Sequence, residues 1–81
     1  MNVPLFIGNL DFETSAENLE EKLSPFGKII SLEIIKDRFT SRSKGYAYAL
    51  VEDKQTADLI IESLNGQIID GRLIRIEFFK S

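Results

Sequence analysis

The segment from Tyr46 to Val51 alternates between large and small apolar side chains, and this alternation limits what the chain can fold into. Because successive side chains of a β-strand point to opposite faces of a sheet, the pattern predicts a strand with two unlike faces. The face of small residues suits close packing against helices. The other face then presents its large side chains to solvent, namely Tyr46, Tyr48 and Leu50.

Short apolar segments elsewhere in the chain predict three further strands. The first ends at Gly8 and Asn9, and the last follows the turn signal Asp70-Gly71. A polar loop, residues 37–43, separates the middle two. The predicted strands are Val3–Gly8, Ile29–Lys36, Gly45–Glu52 and Leu73–Phe79. In the last strand, alternation predicts that Ile74, Ile76 and Phe78 point inward and that Leu73, Arg75, Glu77 and Phe79 point outward.

A helix is predicted between the first two strands. Thr14 and Glu17 have the spacing of a capping box, in which each side chain satisfies an unpaired backbone amide at the other residue. Apolar residues follow at helical spacing as far as Leu23. Pro25 disfavours helical backbone at Ser24, so we expect the helix to end there.

A second helix is predicted after the third strand. Asp53 is a suitable N-cap, and apolar residues recur behind it at i, i+3, i+4 and i+7, which gives one apolar stripe. Asn65-Gly66 supplies the left-handed residue with which helices often end. The stripe consists of Ala57, Ile60, Ile61 and Leu64.

The predicted element order is βαββαβ, the order of the ferredoxin-like split βαβ unit. We therefore expect an α+β two-layer sandwich, with a four-stranded antiparallel sheet and both helices on one of its faces. If Leu5 and Ile7 are core residues, Phe6 lies with the tyrosines on the bare face. Exposed apolar patches usually mark binding sites, and flat rings in polar surroundings are good platforms for stacking nucleobases.

The composition limits the chemistry that the chain can perform. At 81 residues it has the size of one small domain. It contains no cysteine and no histidine, which excludes disulfides, thiol chemistry and zinc sites built from these residues. We find no nucleophile–base pair and no phosphate-binding glycine loop. We therefore expect no enzyme activity, no metal and no cofactor.

The formal net charge of −3 argues by itself against a nucleic-acid partner. The charges are unevenly distributed, however. Residues 36–44 include four basic residues and one acid, whereas residues 11–22 include five acids and one base. A basic loop can still meet phosphate if the acidic helix faces away from the ligand. Glu33 and Glu77 are expected to flank the exposed rings, where negative charge would weaken the binding of phosphate.

Two segments make the chain resemble the RNA recognition motif family. The hexamer Leu5-Phe6-Ile7-Gly8-Asn9-Leu10 is similar to the motif on the family's first strand. The octamer Lys44-Gly45-Tyr46-Ala47-Tyr48-Ala49-Leu50-Val51 is similar to the motif on its third strand. The segments Leu64-Asn65-Gly66 and Asp70-Gly71-Arg72 also look like the family. The resemblance covers essentially the whole chain, which implies a single RNA recognition motif domain over residues 1–81.

The resemblance implies that the ligand is single-stranded RNA, and that the protein acts in RNA processing, stability or translation. Phe6 and Tyr48 would each stack on a base, Tyr46 would pack against a sugar or a base, and Lys44 would contact phosphate. The end of the last strand often adds contacts to base edges in this family. The candidate RNA-binding residues are Phe6, Asn9, Arg42, Lys44, Tyr46, Tyr48, Arg75, Phe79 and Lys80.

Two other functions compete with RNA binding as interpretations of the sequence. A protein-interaction module on the same fold is favoured by the acidic charge and by Leu50 and Phe79 as an apolar patch. An enzyme on this scaffold is disfavoured by the missing catalytic groups. Single-stranded DNA is an alternative ligand, because base stacking does not need the 2′-hydroxyl.

We expect a monomer inside the cell, in the cytoplasm or the nucleus. The beginning of the chain has no basic region followed by an apolar stretch, as a secretory signal would. The longest apolar run, residues 46–51, is too short to span a bilayer, so we expect no membrane association.

Overall fold

The computed structural model describes residues 1–80. It contains the predicted βαββαβ order, with one additional two-stranded hairpin before the last strand. The helices are α1 (Ala16–Leu23) and α2 (Lys54–Leu64), and a 3-10 turn over Ser24–Phe26 follows α1. The strands are β1 (Val3–Gly8), β2 (Ile29–Lys36), β3 (Ser43–Val51), β4 (Ile68–Ile69), β5 (Arg72–Leu73) and β6 (Arg75–Phe78).

Four strands form one antiparallel sheet in the order β2-β3-β1-β6. Leu5 of β1 lies opposite Ala49 of β3, and Ile7 lies opposite Ala47, on the face that both helices cover. The small alanines leave room for the helices to approach the sheet. The expected ferredoxin-like α+β sandwich, with both helices on one face, is therefore confirmed.

The core lies between the helices and this face of the sheet. Leu19 of α1 and Ile60 of α2 are completely buried there, in one hydrophobic cluster with core residues of the first and third strands. Full burial of one such side chain contributes roughly 1.5–3 kcal/mol. Among residues 1–80, no helix is long and apolar enough to cross a membrane.

The first helix begins one residue later than the sequence predicts. Ser15, and not Thr14, is the N-cap, and its Oγ accepts a hydrogen bond from the backbone N–H of Asn18 at 3.0 Å. The Thr14 hydroxyl is buried and donates to Asp70 Oδ2 at 2.7 Å. The capping-box prediction was wrong because Thr14 makes a tertiary hydrogen bond to a residue 56 positions away.

The prediction that Asp53 caps the second helix is confirmed. Its carboxylate accepts a hydrogen bond from the backbone N–H of Thr56 at 2.8 Å, and this bond lowers the pKa of Asp53 below its ordinary value of 3.8. The helix ends as predicted before Gly66, which has φ +86°. Asn65 then accepts a hydrogen bond from the Ile76 N–H at 2.8 Å, which ties the end of α2 to β6.

The last predicted strand was too long at both ends. Leu73 belongs to the β4–β5 hairpin, which turns at Asp70-Gly71 as expected. The backbone of Ile74 bonds to Gly66 and Gln67 and so interrupts the pairing with β1.

The prediction that Phe78 points inward is confirmed, but its burial is incomplete. Phe78 lies opposite Leu5, on the helix side, but 38% of it is exposed because β6 is an edge strand. Its ring lies 5.9 Å from Lys54 Nζ.

Candidate nucleic-acid interface

Three aromatic rings form a cluster on the face of the sheet opposite the helices. Phe6 of β1 is the cross-strand partner of Tyr48 of β3, and their ring centroids are 5.8 Å apart. Tyr46 lies 5.7 Å from Phe6 and 6.0 Å from Tyr48. The neighbours of these residues along each strand are buried, whereas the rings themselves are only half-buried. The rings therefore cover one another's edges and keep open surface toward solvent.

Phe79 extends this cluster by a fourth ring. Its centroid lies 4.9 Å from that of Tyr48, and the two ring planes are nearly perpendicular, at 86°. The backbone N–H of Phe79 donates to the Pro4 carbonyl at 3.1 Å, which holds the residue beside β1 after β6 has ended. Phe79 thus stands as an edge-to-face neighbour of Tyr48, an arrangement that aromatic pairs prefer.

Gly8 leaves the space in which the Phe6 ring lies. A Cβ atom at position 8 would come within 2.7 Å of Phe6 Cε2, closer than van der Waals contact allows. Any other residue there would move the ring. Glycine in a strand often marks such a close approach, and here it leaves room for the observed orientation of a predicted stacking residue.

Three basic side chains surround a shallow groove next to Phe6 and Tyr46. Lys44 and Arg75 were predicted as site residues, and both are exposed beside this groove. Arg72, on β5, is the third, and sequence reasoning did not select it. The available signal was its place in the family-like segment Asp70-Gly71-Arg72. Glu77 also lines the groove, which therefore carries three basic side chains and one acidic side chain.

Asn9 lies in the same groove, but its side chain is engaged within the protein. Its Nδ2 donates to the Leu73 carbonyl at 2.7 Å, and its Oδ1 accepts a hydrogen bond from Arg72. Arg72 Nε also donates to the Asn9 carbonyl at 3.2 Å. Asn9 has φ +62°, a conformation that asparagine tolerates better than most residues. It therefore joins the end of β1 to the β4–β5 hairpin and orients Arg72.

Two predicted residues lie away from the centre of the cluster. Lys80 is exposed beyond the end of β6, next to a groove that Phe6 and Phe79 also line. Arg42 is exposed in the β2–β3 turn, and its carbonyl accepts a hydrogen bond from the Asp37 N–H at 2.7 Å.

The turn that carries Arg42 is held together by Asp37. The Asp37 carboxylate accepts hydrogen bonds from the backbone N–H groups of Thr40 and Phe39, each at 2.9 Å. These bonds lower the pKa of Asp37 below 3.8. The turn therefore has a defined shape that presents its basic side chains to solvent.

One carboxylate flanks the rings on each side, as expected from the sequence. Glu33 of β2 is the cross-strand partner of Tyr48, and Glu77 of β6 is the partner of Phe6. A single row across the sheet therefore reads Glu33, Tyr48, Phe6 and Glu77. Glu77 pairs with Arg75 at 3.7 Å, with both side chains exposed, so this ion pair contributes little to stability.

Comparison with known proteins shows what this arrangement corresponds to. A family model described as RNA recognition motif matches residues 5–75 of the chain. The chain belongs to the RNA recognition motif family. In this RNA recognition motif protein, the two family-like segments, residues 5–10 and 44–51, lie on or next to the adjacent central strands β1 and β3.

Named relatives and solved structures are similar over nearly the whole chain. Organelle RRM domain-containing protein 1, chloroplastic, from Zea mays is 36% identical over 77 residues, which are 95% of this chain but 19% of that protein. This chain thus spans about a fifth of the relative's length. The crystal structure of RNA binding protein PG1 matches with a TM-score of 0.93 at 30% identity, covering 98% of this chain and 95% of that one. The second RRM domain of yeast poly(U)-binding protein matches with a TM-score of 0.90 at 26% identity, with the same coverage.

Proposed function

We propose that this RNA recognition motif protein binds single-stranded RNA by stacking unpaired bases on Phe6, Tyr46 and Tyr48. The observation that carries the proposal is the position of these three rings, together on the face of the sheet that neither α1 nor α2 covers. Family membership supports the same ligand. The chemistry required is binding alone, and we propose no catalytic step.

The size of the cluster suggests a short binding site with moderate affinity. Each stacked base contributes roughly 1–3 kcal/mol, as measured by alanine substitution in other proteins. The cluster has room for about two to four nucleotides, and after the cost of ordering them we expect a Kd on the order of micromolar. Lys44, Arg72 and Arg75 would contact phosphates at the groove, while the acidic residues of α1 lie in the opposite layer. Few phosphate contacts imply a modest dependence on salt.

We further propose that residues 1–81 act as one monomeric binding domain in RNA processing, stability or translation. Single-stranded DNA should bind the same rings, because stacking does not involve the 2′-hydroxyl. The maize relative is named as a chloroplast protein, and the chloroplast is neither the cytoplasm nor the nucleus. The compartment expected for this chain therefore stays a prediction.

A titration followed by NMR tests this proposal. The labelled protein is mixed with short randomised RNAs, and chemical shifts are followed residue by residue. We expect the largest changes at Phe6, Tyr46 and Tyr48, with small changes in α1 and α2. Shift changes confined to the helices, or none at saturating RNA, would contradict RNA binding on this face.

A protein-binding function has one specific observation in its favour. Leu50 is half-buried on the face of the rings, and together with Phe79 it lines an apolar concavity at the Pro4 end of the sheet. If this concavity bound a peptide instead of RNA, the randomised RNAs would leave the signals of both residues unchanged. Because the Phe79 ring contacts Tyr48, we place it with the RNA-binding surface.

A further inference from the structure

Of the two carboxylates beside the rings, Glu33 is the one whose side chain has no partner among residues 1–80. It is the cross-strand partner of Tyr48, and the Cβ atoms of such partners lie about 4.5–5.5 Å apart on the same face. Glu33 is exposed, and within residues 1–80 its carboxylate makes no hydrogen bond and no ion pair. Glu77, on the other side of the row, is paired with Arg75.

The concavity beside Glu33 has a shape that suits one stacked base. The Tyr48 ring forms its bottom, and the Phe79 ring, nearly perpendicular to that of Tyr48, forms one side. Ser31 and Glu33 form the opposite rim, two residues apart on the same face of β2. A base stacked on Tyr48 would therefore have an apolar side toward Phe79 and a polar edge toward β2.

The chemistry of this rim distinguishes the four bases. An ionised carboxylate only accepts hydrogen bonds, and its two oxygens match two parallel donors. On the Watson–Crick edge, guanine presents two adjacent donors, N1–H and N2–H₂. Adenine and cytosine present one amino group beside a ring nitrogen whose lone pair repels a carboxylate, and uracil presents one N–H between two carbonyl oxygens. Such edges are what proteins read in single-stranded RNA.

We propose that Glu33 makes the position stacked on Tyr48 selective for guanine. Two hydrogen bonds from guanine N1–H and N2–H₂ to the Glu33 carboxylate would satisfy the unpaired acceptor, and the Ser31 hydroxyl is placed to donate to guanine O6. The inference rests on the proposed function, since it assigns a base to one of its stacking positions. It also gives a role to a negative charge that would otherwise only repel RNA.

The test uses five-nucleotide RNAs that differ only at the central base, with binding measured by fluorescence anisotropy. The central base is guanine, adenine, cytosine, uracil or hypoxanthine, which is guanine without its 2-amino group. For the wild-type protein we expect guanine to be preferred by about tenfold, close to the lower end of the effect of one hydrogen bond to a charged group. Hypoxanthine should fall between guanine and the other bases.

Two matched variants distinguish recognition of guanine by Glu33 from simple electrostatic repulsion of RNA. Glu33→Gln removes the charge with almost no change in shape, and we expect it to abolish the guanine preference by weakening binding of the guanine RNA alone. Glu77→Gln removes the same charge on the other side of the row and should keep the preference. Circular dichroism checks that both exposed substitutions leave the fold unchanged.

Three results would overturn the inference. The first is equal binding of all five RNAs by the wild-type protein. The second is a uniform gain in affinity for every RNA in Glu33→Gln, which would show that Glu33 only repels phosphate. The third is an identical loss of preference in both variants. Absence of binding to any RNA, with no shift at the three rings, would instead refute the proposed function itself.

Discussion

Replacing single rings of the cluster by leucine tests the binding surface most directly. Phe6→Leu and Tyr48→Leu keep an apolar side chain at each position but remove the flat face on which we propose that a base stacks. Loss of one stacked base costs roughly 1–3 kcal/mol, so each variant should bind short RNA about 5- to 150-fold more weakly. The two rings are 5.8 Å apart, and residues in contact are seldom additive. The loss of binding free energy in the double variant should therefore differ from the sum of the two single losses.

The effect on stability can be worked out separately. Phe6 makes two ring contacts in the cluster, with Tyr46 and Tyr48. Each aromatic pair contributes about 0.5–1.5 kcal/mol beyond its buried area, and half-exposed rings belong at the lower end. We expect Phe6→Leu to cost about 1 kcal/mol, which lowers the Tm of a domain of this size by about 4–8 °C. The variant should remain folded at room temperature.

The assay is fluorescence anisotropy with a labelled RNA at fixed salt, together with thermal unfolding of each variant. Phe39→Leu is the matched control, because Phe39 carries the same ring in the β2–β3 turn, where 86% of it is exposed. It should bind RNA as the wild type does. Unchanged affinity in folded Phe6→Leu and Tyr48→Leu would refute stacking on these rings. Unfolding of either variant would show that the rings serve the core.

Four further predictions concern stability and electrostatics. Leu19→Ala truncates a completely buried side chain and should cost about 2–5 kcal/mol in the free energy of unfolding, measured with urea. Thr14→Val removes the hydrogen bond to Asp70 and should cost about 1 kcal/mol by the same measurement. The N-cap bond lowers the pKa of Asp53 in the folded protein. The stability that this bond contributes is therefore present above the ordinary pKa of 3.8 and is lost as the pH falls through the folded pKa. In Asp53→Asn, the free energy of unfolding measured with urea should fall less steeply between pH 6 and pH 2. Lys44→Ala should weaken the binding of all RNAs alike. It should also reduce the salt slope of binding by about 0.7, measured by anisotropy from low to high salt.

Each of these predictions has an outcome that contradicts it. A thermal midpoint unchanged by Leu19→Ala would mean that α1 is not packed on the sheet. Equal stability of Thr14→Val and wild type would remove the tertiary role assigned to the hydroxyl. An acid transition with the same slope in Asp53→Asn would locate the pH dependence elsewhere. A base-dependent loss in Lys44→Ala would indicate that the lysine reads bases instead of phosphate.

The fold could be predicted because its signals are local. Alternation on the third strand and the helical stripe of α2 depend only on neighbouring residues, and both predicted faces agree with the structure. The same alternation placed Phe6 on the open side of the sheet. The sequence alone therefore predicts the face on which a residue lies, wherever that face follows from the period of its own strand or helix.

The errors lie where a distant part of the chain competes with a local preference. Thr14 has the spacing of an N-cap, but its hydroxyl bonds to Asp70, so Ser15 takes that role. Leu73 fits the pattern of the last strand, but its carbonyl accepts a hydrogen bond from Asn9 and it pairs within the hairpin. Local patterns cannot register these two hydrogen bonds, because the bonded residues are more than 50 positions apart. The hairpin partner of Leu73 lies only five residues earlier, so this pairing is a local competitor of the longer strand.

The sequence by itself determined which residues share the open face of the sheet, since side-chain alternation is fixed by strand geometry. Only the tertiary structure decided which residues become neighbours on that face, because the strand order β2-β3-β1-β6 joins parts of the chain that are far apart. That order puts Glu33 beside Tyr48 and brings Arg72 to the groove at Phe6. The shared face of the three rings follows from strand periodicity, whereas the polar groups that surround them depend on strand register.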